Sequence, residues 1–130
     1  MIRYTGFDDN CLQCCVAGLL NLPLQQVPHI REFMDEGDPS EGEERWVTPF
    51  TRWCRAELGL VPVLTSEEIP YVRHIRAIVS SKGNGHATIA QRGYTLWDPA
   101  WMKPQPKVKE TREFLYSIGF ITIREEDREE

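Results

Sequence analysis

The sequence predicts an α+β domain in which N-terminal helices pack on a C-terminal antiparallel β-sheet. Two observations carry that reading. Up to about Leu60, apolar residues recur every three to four positions; beyond it they fall in short runs separated by turn residues. The chain is also undivided: its 130 residues, 41% hydrophobic and 27% charged, contain no internal repeat and no Gly/Ser linker. That length suits one domain with a real apolar core. Residues 1–123 read as the domain and 124–130 as an acidic tail.

The first helix is expected over residues 11–21, where Leu12, Cys15, Val16, Leu19 and Leu20 form a broad apolar face. Asp8, Asp9 or Asn10 can cap its start, and Leu22-Pro23 stops it. A short helix begins near Pro28, turns Ile30, Phe33 and Met34 inward, and ends at Gly37. The acidic stretch over residues 35–44 reads as a solvated loop. Trp46, Val47, Phe50, Trp53, Cys54 and Leu58 then mark a third helix, ended by Gly59. Strands follow at residues 61–64 and 75–80, with a turn cluster at 82–85. Residues 86–91 and 94–98 form a hairpin around Arg92-Gly93. A polar helical turn over 109–116 leads to a last strand at 118–123.

A formal charge of −5 without a basic stripe argues against nucleic acid as a partner, because phosphate binding needs clustered Lys and Arg. No stretch is long enough to cross a bilayer, so no membrane partner is expected. The opening Met1-Ile-Arg-Tyr-Thr-Gly lacks a basic segment followed by an apolar run. Three of the four cysteines, Cys11, Cys14 and Cys15, crowd into five helical positions, which suits no disulfide framework. A reducing, cytoplasmic setting is the expectation.

Three short motifs carry chemistry. Asn10-Cys11 opens the first helix, Gly85-His86-Ala87 opens a strand, and Trp97-Asp98-Pro99 closes the next strand. A thiol attacks only as its thiolate, and a free cysteine ionises near a pKa of roughly 8.5. A helix N-terminus and a neighbouring imidazolium both favour the anion, and Cys11 stands at such an N-terminus. Cys14 and Cys15 lie deeper, where burial opposes ionisation, and read as small packing residues. If the hairpin loop is Gln91-Arg92-Gly93, Ala90 faces Tyr94 and His86 faces Asp98, so the carboxylate can hold the ring. A two-residue loop would shift that register by one. Taken singly, each residue has a plainer explanation: a core cysteine, a structural histidine, an Asp-Pro turn. Their joint occurrence, in order and on fitting elements, favours a nucleophile, its base and the group that orients the base. His29 and His74 lack such context and read as surface or structural residues.

With these motifs the chain resembles the papain-like cysteine peptidase superfamily. It is most similar to small bacterial and phage proteins related to bacteriocin-processing (double-glycine) peptidases. The matching stretches are residues 10–28, with their Leu22-Pro23 and Val27-Pro28 continuation, Gly85-His86-Ala87, and Asp98-Pro99. The resemblance implies a minimal papain-like domain with Cys11 as nucleophile, His86 as general base and Asp98 as orienting residue. It implies a peptide or protein substrate, a thioester intermediate, and neither cofactor nor metal. One departure stands out. The superfamily commonly draws an oxyanion-hole donor from a Gln just before the nucleophile, and here no Gln precedes Gln13. The Cys11 N–H, helped by the Asn10 side chain, would have to serve; one such donor is worth ~3 kcal/mol in the transition state.

Three rival readings remain open. Cys11-x-x-Cys14 has zinc-like spacing, but no second such pair exists and the cysteines fall within a helical pattern. A partner-binding protein could keep the fold without catalysis. The same triad could also pass an acyl group to an amine in place of water. Trp97, Trp101 and Lys103-Pro104-Gln105-Pro106 either wall the cleft or form a packed aromatic corner.

Overall fold

The computed structural model describes residues 10–122; the acidic tail, Asp8, Asp9 and the end of the last expected strand lie outside that range. Helix α1 (Cys11–Leu20) and helix α2 (Ile30–Glu36) are joined through a 3₁₀ turn at Leu24–Gln26. A second 3₁₀ stretch, Pro39–Glu44, carries the exposed acidic loop into helix α3 (Val47–Trp53). The last turn of that helical run widens into a π-helical turn, Cys54–Leu58, closed by the Gly59 N–H donating to the Cys54 carbonyl. Gly59 takes φ 66°, the left-handed conformation that a helix-ending glycine supplies.

Among the described residues six strands follow: β1 (Leu60–Thr65), β2 (His74–Val79), β3 (Gly85–Gln91), β4 (Tyr94–Trp97), β5 (Val108–Lys109) and β6 (Phe114–Thr122). They form one sheet in the order β1-β6-β2-β3-β4-β5, with every neighbouring pair antiparallel. The expected architecture of helices followed by an antiparallel sheet is therefore present. The expected helical turn over 109–116 is not. Its alternating charges mimic a helix surface, yet Phe114–Thr122 is the interior strand that joins β1 to β2. Cross-chain pairing outweighs local helical preference there.

The sheet has two differently built faces. One presents Ile75, Ala77, Ala87, Ile89 and Ile118 to the helices, where they join Leu12, Cys15, Val16, Phe33, Trp46 and Phe50 in one apolar core. Phe50 is fully buried, and its ring lies 5.5 Å from Phe33, 5.6 Å from Trp46 and 6.4 Å from Phe120, tying α2, α3 and β6 together. The other face carries buried polar groups: His74, Arg76, Thr88, Thr95 and Ser117. Arg76 lies opposite Thr88 on β3 and Ser117 on β6, which fixes these three on one side. The segments over 66–73 and 110–113 supply its partners, with Glu68 paired to Arg76 and Glu110 bonded to Thr95.

His74 is no surface residue. It is fully buried, its Nδ1 lies 2.8 Å from the Val72 carbonyl, and burial lowers its pKa despite Glu68 at 3.6 Å. His29 does have a structural role. Its Nδ1 accepts from the Arg31 N–H at 3.0 Å while Glu32 accepts from the His29 N–H, a reciprocal cap on α2.

Candidate active site

Cys11 is the first residue of α1, where backbone N–H groups have no acceptor within the helix. Asn10 precedes it at φ −111° and ψ 27°, a conformation outside the extended one that an N-capping side chain requires. Its side chain makes no capping bond, so the expected Asn10 cap is corrected; only its carbonyl joins the helix, accepting from Cys14 at 2.9 Å. Helix α1 lies along β3, and the Cys11 Sγ accepts from the Ala87 N–H at 3.4 Å. The thiol is therefore beside the residue that follows His86.

Asp98 reaches His86 by a route other than the expected register. The β3–β4 turn is the two-residue Arg92-Gly93, with φ 56° and 83°, the paired left-handed conformations of a type I′ turn. Gln91 thus faces Tyr94 and Ala90 faces Thr95, one step away from the three-residue loop. A bulge then intervenes: Ile89 faces Trp97, leaving Leu96 as the extra residue. Asp98 lies just past the end of β4 and is not a direct cross-strand partner of His86. Even so, its Oδ1 accepts from His86 Nε2 at 2.7 Å. The ring's Nδ1 is left for the thiol side.

The electrostatics follow from burial and pairing. Burial disfavours the imidazolium of His86, but the bonds to Asp98 and Cys11 outweigh it and raise its pKa to about 9. Burial likewise disfavours the Asp98 carboxylate, and the donors from His86, Ala100 and Arg112 reverse the sign, lowering its pKa. At neutral pH this pair is imidazolium and carboxylate. Burial pushes the Cys54 thiol up to about 12, and burial with the charge of Cys11 raises Cys14 and, much further, Cys15. Those three are neutral thiols at neutral pH. Cys15 is fully buried, as expected of a packing residue, while Cys14 is only partly so.

All three site residues are nearly closed off: Cys11 is 3% exposed, His86 6% and Asp98 2%. Gln13 points away from an oxyanion role, its amide donating to the Val27 carbonyl at 2.7 Å and holding the chain after α1. Trp97 is 37% exposed beside Gly18 and Ile89, Trp101 is half-buried, and Met102 is almost wholly exposed. Among the described residues no group of three or more His, Cys, Asp or Glu side chains could hold a metal ion. No helix of the described residues is long and apolar enough to cross a membrane.

Two functional-site neighbours escaped sequence reasoning. Arg112 donates through Nη2 to Asp98 Oδ2 at 3.1 Å, and Glu110 receives the same guanidinium at 2.8 and 3.0 Å. Both fall in the segment expected to be a solvated helical turn. A Glu-x-Arg spacing in a polar stretch carries no signal of its own. Comparison with protein-family models, with curated proteins and with solved structures finds no match.

Proposed function

We propose that this chain is a cysteine hydrolase of papain-like type, acting on an amide bond of a peptide or protein through a thioester. The observation that supports it best is the convergence of three buried groups from three elements. Cys11 at the α1 N-terminus abuts the start of β3, and His86 there bonds Asp98 at 2.7 Å. In this reading the Cys11 thiolate attacks the carbonyl carbon while the His86 imidazolium gives its proton to the leaving amine. Neutral His86 then takes a proton from water, whose oxygen attacks the thioester carbonyl; the C–S bond breaks, the acyl group leaves as the acid, and the Cys11 thiolate and His86 imidazolium are restored. Asp98 holds the ring and favours its protonated form. The Cys11 N–H and the Asn10 side chain are the donors offered to the oxyanion.

The test is thiol labelling followed by turnover. Iodoacetamide at about pH 6 should alkylate Cys11 ahead of Cys14, Cys15 and Cys54, and His86→Ala should abolish that preference. On a peptide mixture, Cys11→Ala should lose all cleavage while staying folded, its melting temperature lowered modestly by the loss of one buried sulfur. Appearance of acyl-enzyme mass on Cys11 supports the thioester route, and its transfer to an added amine would favour acyl transfer. A second reading, a partner-binding domain without catalysis, is favoured by the near-complete burial of Cys11. Equal labelling of the thiols and an unaffected binding partner in Cys11→Ala would establish that reading instead.

A further inference from the structure

The carboxylate of Asp98 is held from two sides. Its Oδ1 accepts from His86 Nε2 at 2.7 Å and from the Ala100 N–H at 2.8 Å. Its Oδ2 accepts from Arg112 Nη2 at 3.1 Å. The arginine is itself fixed by Glu110, which takes the Arg112 Nε at 2.8 Å, the Nη2 at 3.0 Å and the backbone N–H at 2.8 Å. Glu110 is anchored in turn: its Oε1 accepts from the Thr95 hydroxyl at 2.7 Å, and Arg76 Nη1 stands 3.7 Å away. Arg76 Nη1 also donates to Thr95 at 3.2 Å, and Arg76 pairs with Glu68. A chain of alternating charges thus runs from the polar face of the sheet to the candidate active site.

A buried carboxylate with one charged partner could rotate; one gripped at both oxygens by groups that are gripped themselves cannot. We propose that Arg112, braced by Glu110, is a positioning residue that keeps Asp98 ionised and turned toward His86. The proposal rests on the reading of Asp98 as the orienting group of the Cys11–His86 pair. Among the described residues, the titratable and charged groups acting on Asp98 are His86 from β3, Arg112 from the segment before β6, and Cys15 from α1, with Cys11 reaching it only through His86. Of these only Arg112 is a fixed cation, and its side chain is 38% exposed, so its removal leaves the apolar core intact.

The experiment follows the Asp98 carboxyl carbon by NMR against pH in full-length protein carrying labelled aspartate, assigned through Asp98→Asn. Losing a cation within hydrogen-bond distance should raise the Asp98 titration by about one unit or more in Arg112→Ala. Arg112→Lys, which keeps the charge and loses the fork, should restore part of that shift. Cys11 alkylation at about pH 6 should slow several-fold in Arg112→Ala and recover partly in Arg112→Lys, whatever the melting temperatures do. Should the alanine variant fail to fold, Arg112→Met keeps the aliphatic stem and must show the same upward shift. An Asp98 titration unmoved in a folded Arg112→Ala or Arg112→Met variant overturns the proposal. Shifted Asp98 titration without preferential Cys11 labelling in the parent would sink the hydrolase reading and leave the clamp standing.

Discussion

Asp98 and His86 show what one carboxylate does to one ring. The folded-state pKa of His86, about 9, lies above its ordinary 6.5, so folding is favoured by its proton. That contribution is fully present below about pH 6.5 and fades as pH rises through about 9. Asp98→Asn removes the charge that holds the proton. The variant should show His86 titrating well below 9 by NMR, and a melting temperature that changes far less between pH 6.5 and 9. Turnover should fall less than in Cys11→Ala, because Asp98 orients and never bonds to substrate. Glu110 carries the opposite sign. Its bonds to Arg112 and Thr95 overcome burial and bring its pKa down to about 2, so its stabilisation is present above about pH 4.5 and is lost as pH falls toward 2. Glu110→Gln should flatten the acid limb of a thermal-denaturation series over that window.

Among the elements, the helix ends are where local rules and packing separate. Helix α1 ends at Asn21 with φ 57°, and the Leu22 N–H donates back to Ala17 at 2.9 Å. Asparagine tolerates that left-handed position and glycine prefers it, so Asn21→Gly should raise stability slightly, by about 0.5 kcal/mol. Gly37 ends α2 for a different reason. Its φ of −79° is open to any residue, but a Cβ there would stand 2.0 Å from the Arg45 carbonyl oxygen. Two backbone segments touch at that point, so even the smallest side chain forces them apart. Gly37→Ala should cost about 1–3 kcal/mol in denaturant unfolding. It should leave preferential Cys11 alkylation in place, because α2 carries none of the site residues.

For the molecule as a whole, Phe50 decides whether the helices stay on the sheet. It is fully buried and its ring meets Phe33, Trp46 and Phe120, which come from three separate parts of the chain. Phe50→Ala should cost about 3–5 kcal/mol. Against a total of about 5–15 kcal/mol for a domain, that is enough to leave the protein marginal near 37 °C. Calorimetry should record one lowered transition, because the core joins helices and sheet into a single unit. Two separate transitions would show that the helices and the sheet melt independently.

The features legible in the sequence are those set by near neighbours in the chain. The change of period near Leu60, the α1 span, the Arg92-Gly93 turn and the left-handed Gly59 all follow from spacing and backbone sterics. So did the nomination of Cys11, His86 and Asp98, which rests on residue type and on which element each one opens or closes. What local rules missed was set by groups far apart along the chain. The two-residue turn moved the register one step from the expected one and the bulge at Leu96 moved it again, while Phe114–Thr122 pairs as an interior strand with both β1 and β2. The burial of His74 and Arg76 and the grip of Glu110 and Arg112 on Asp98 belong to the same class. A charged residue reads as solvated until an opposite charge, brought against it from another segment of the chain, makes its burial tolerable. Only the folded chain brings those charges together.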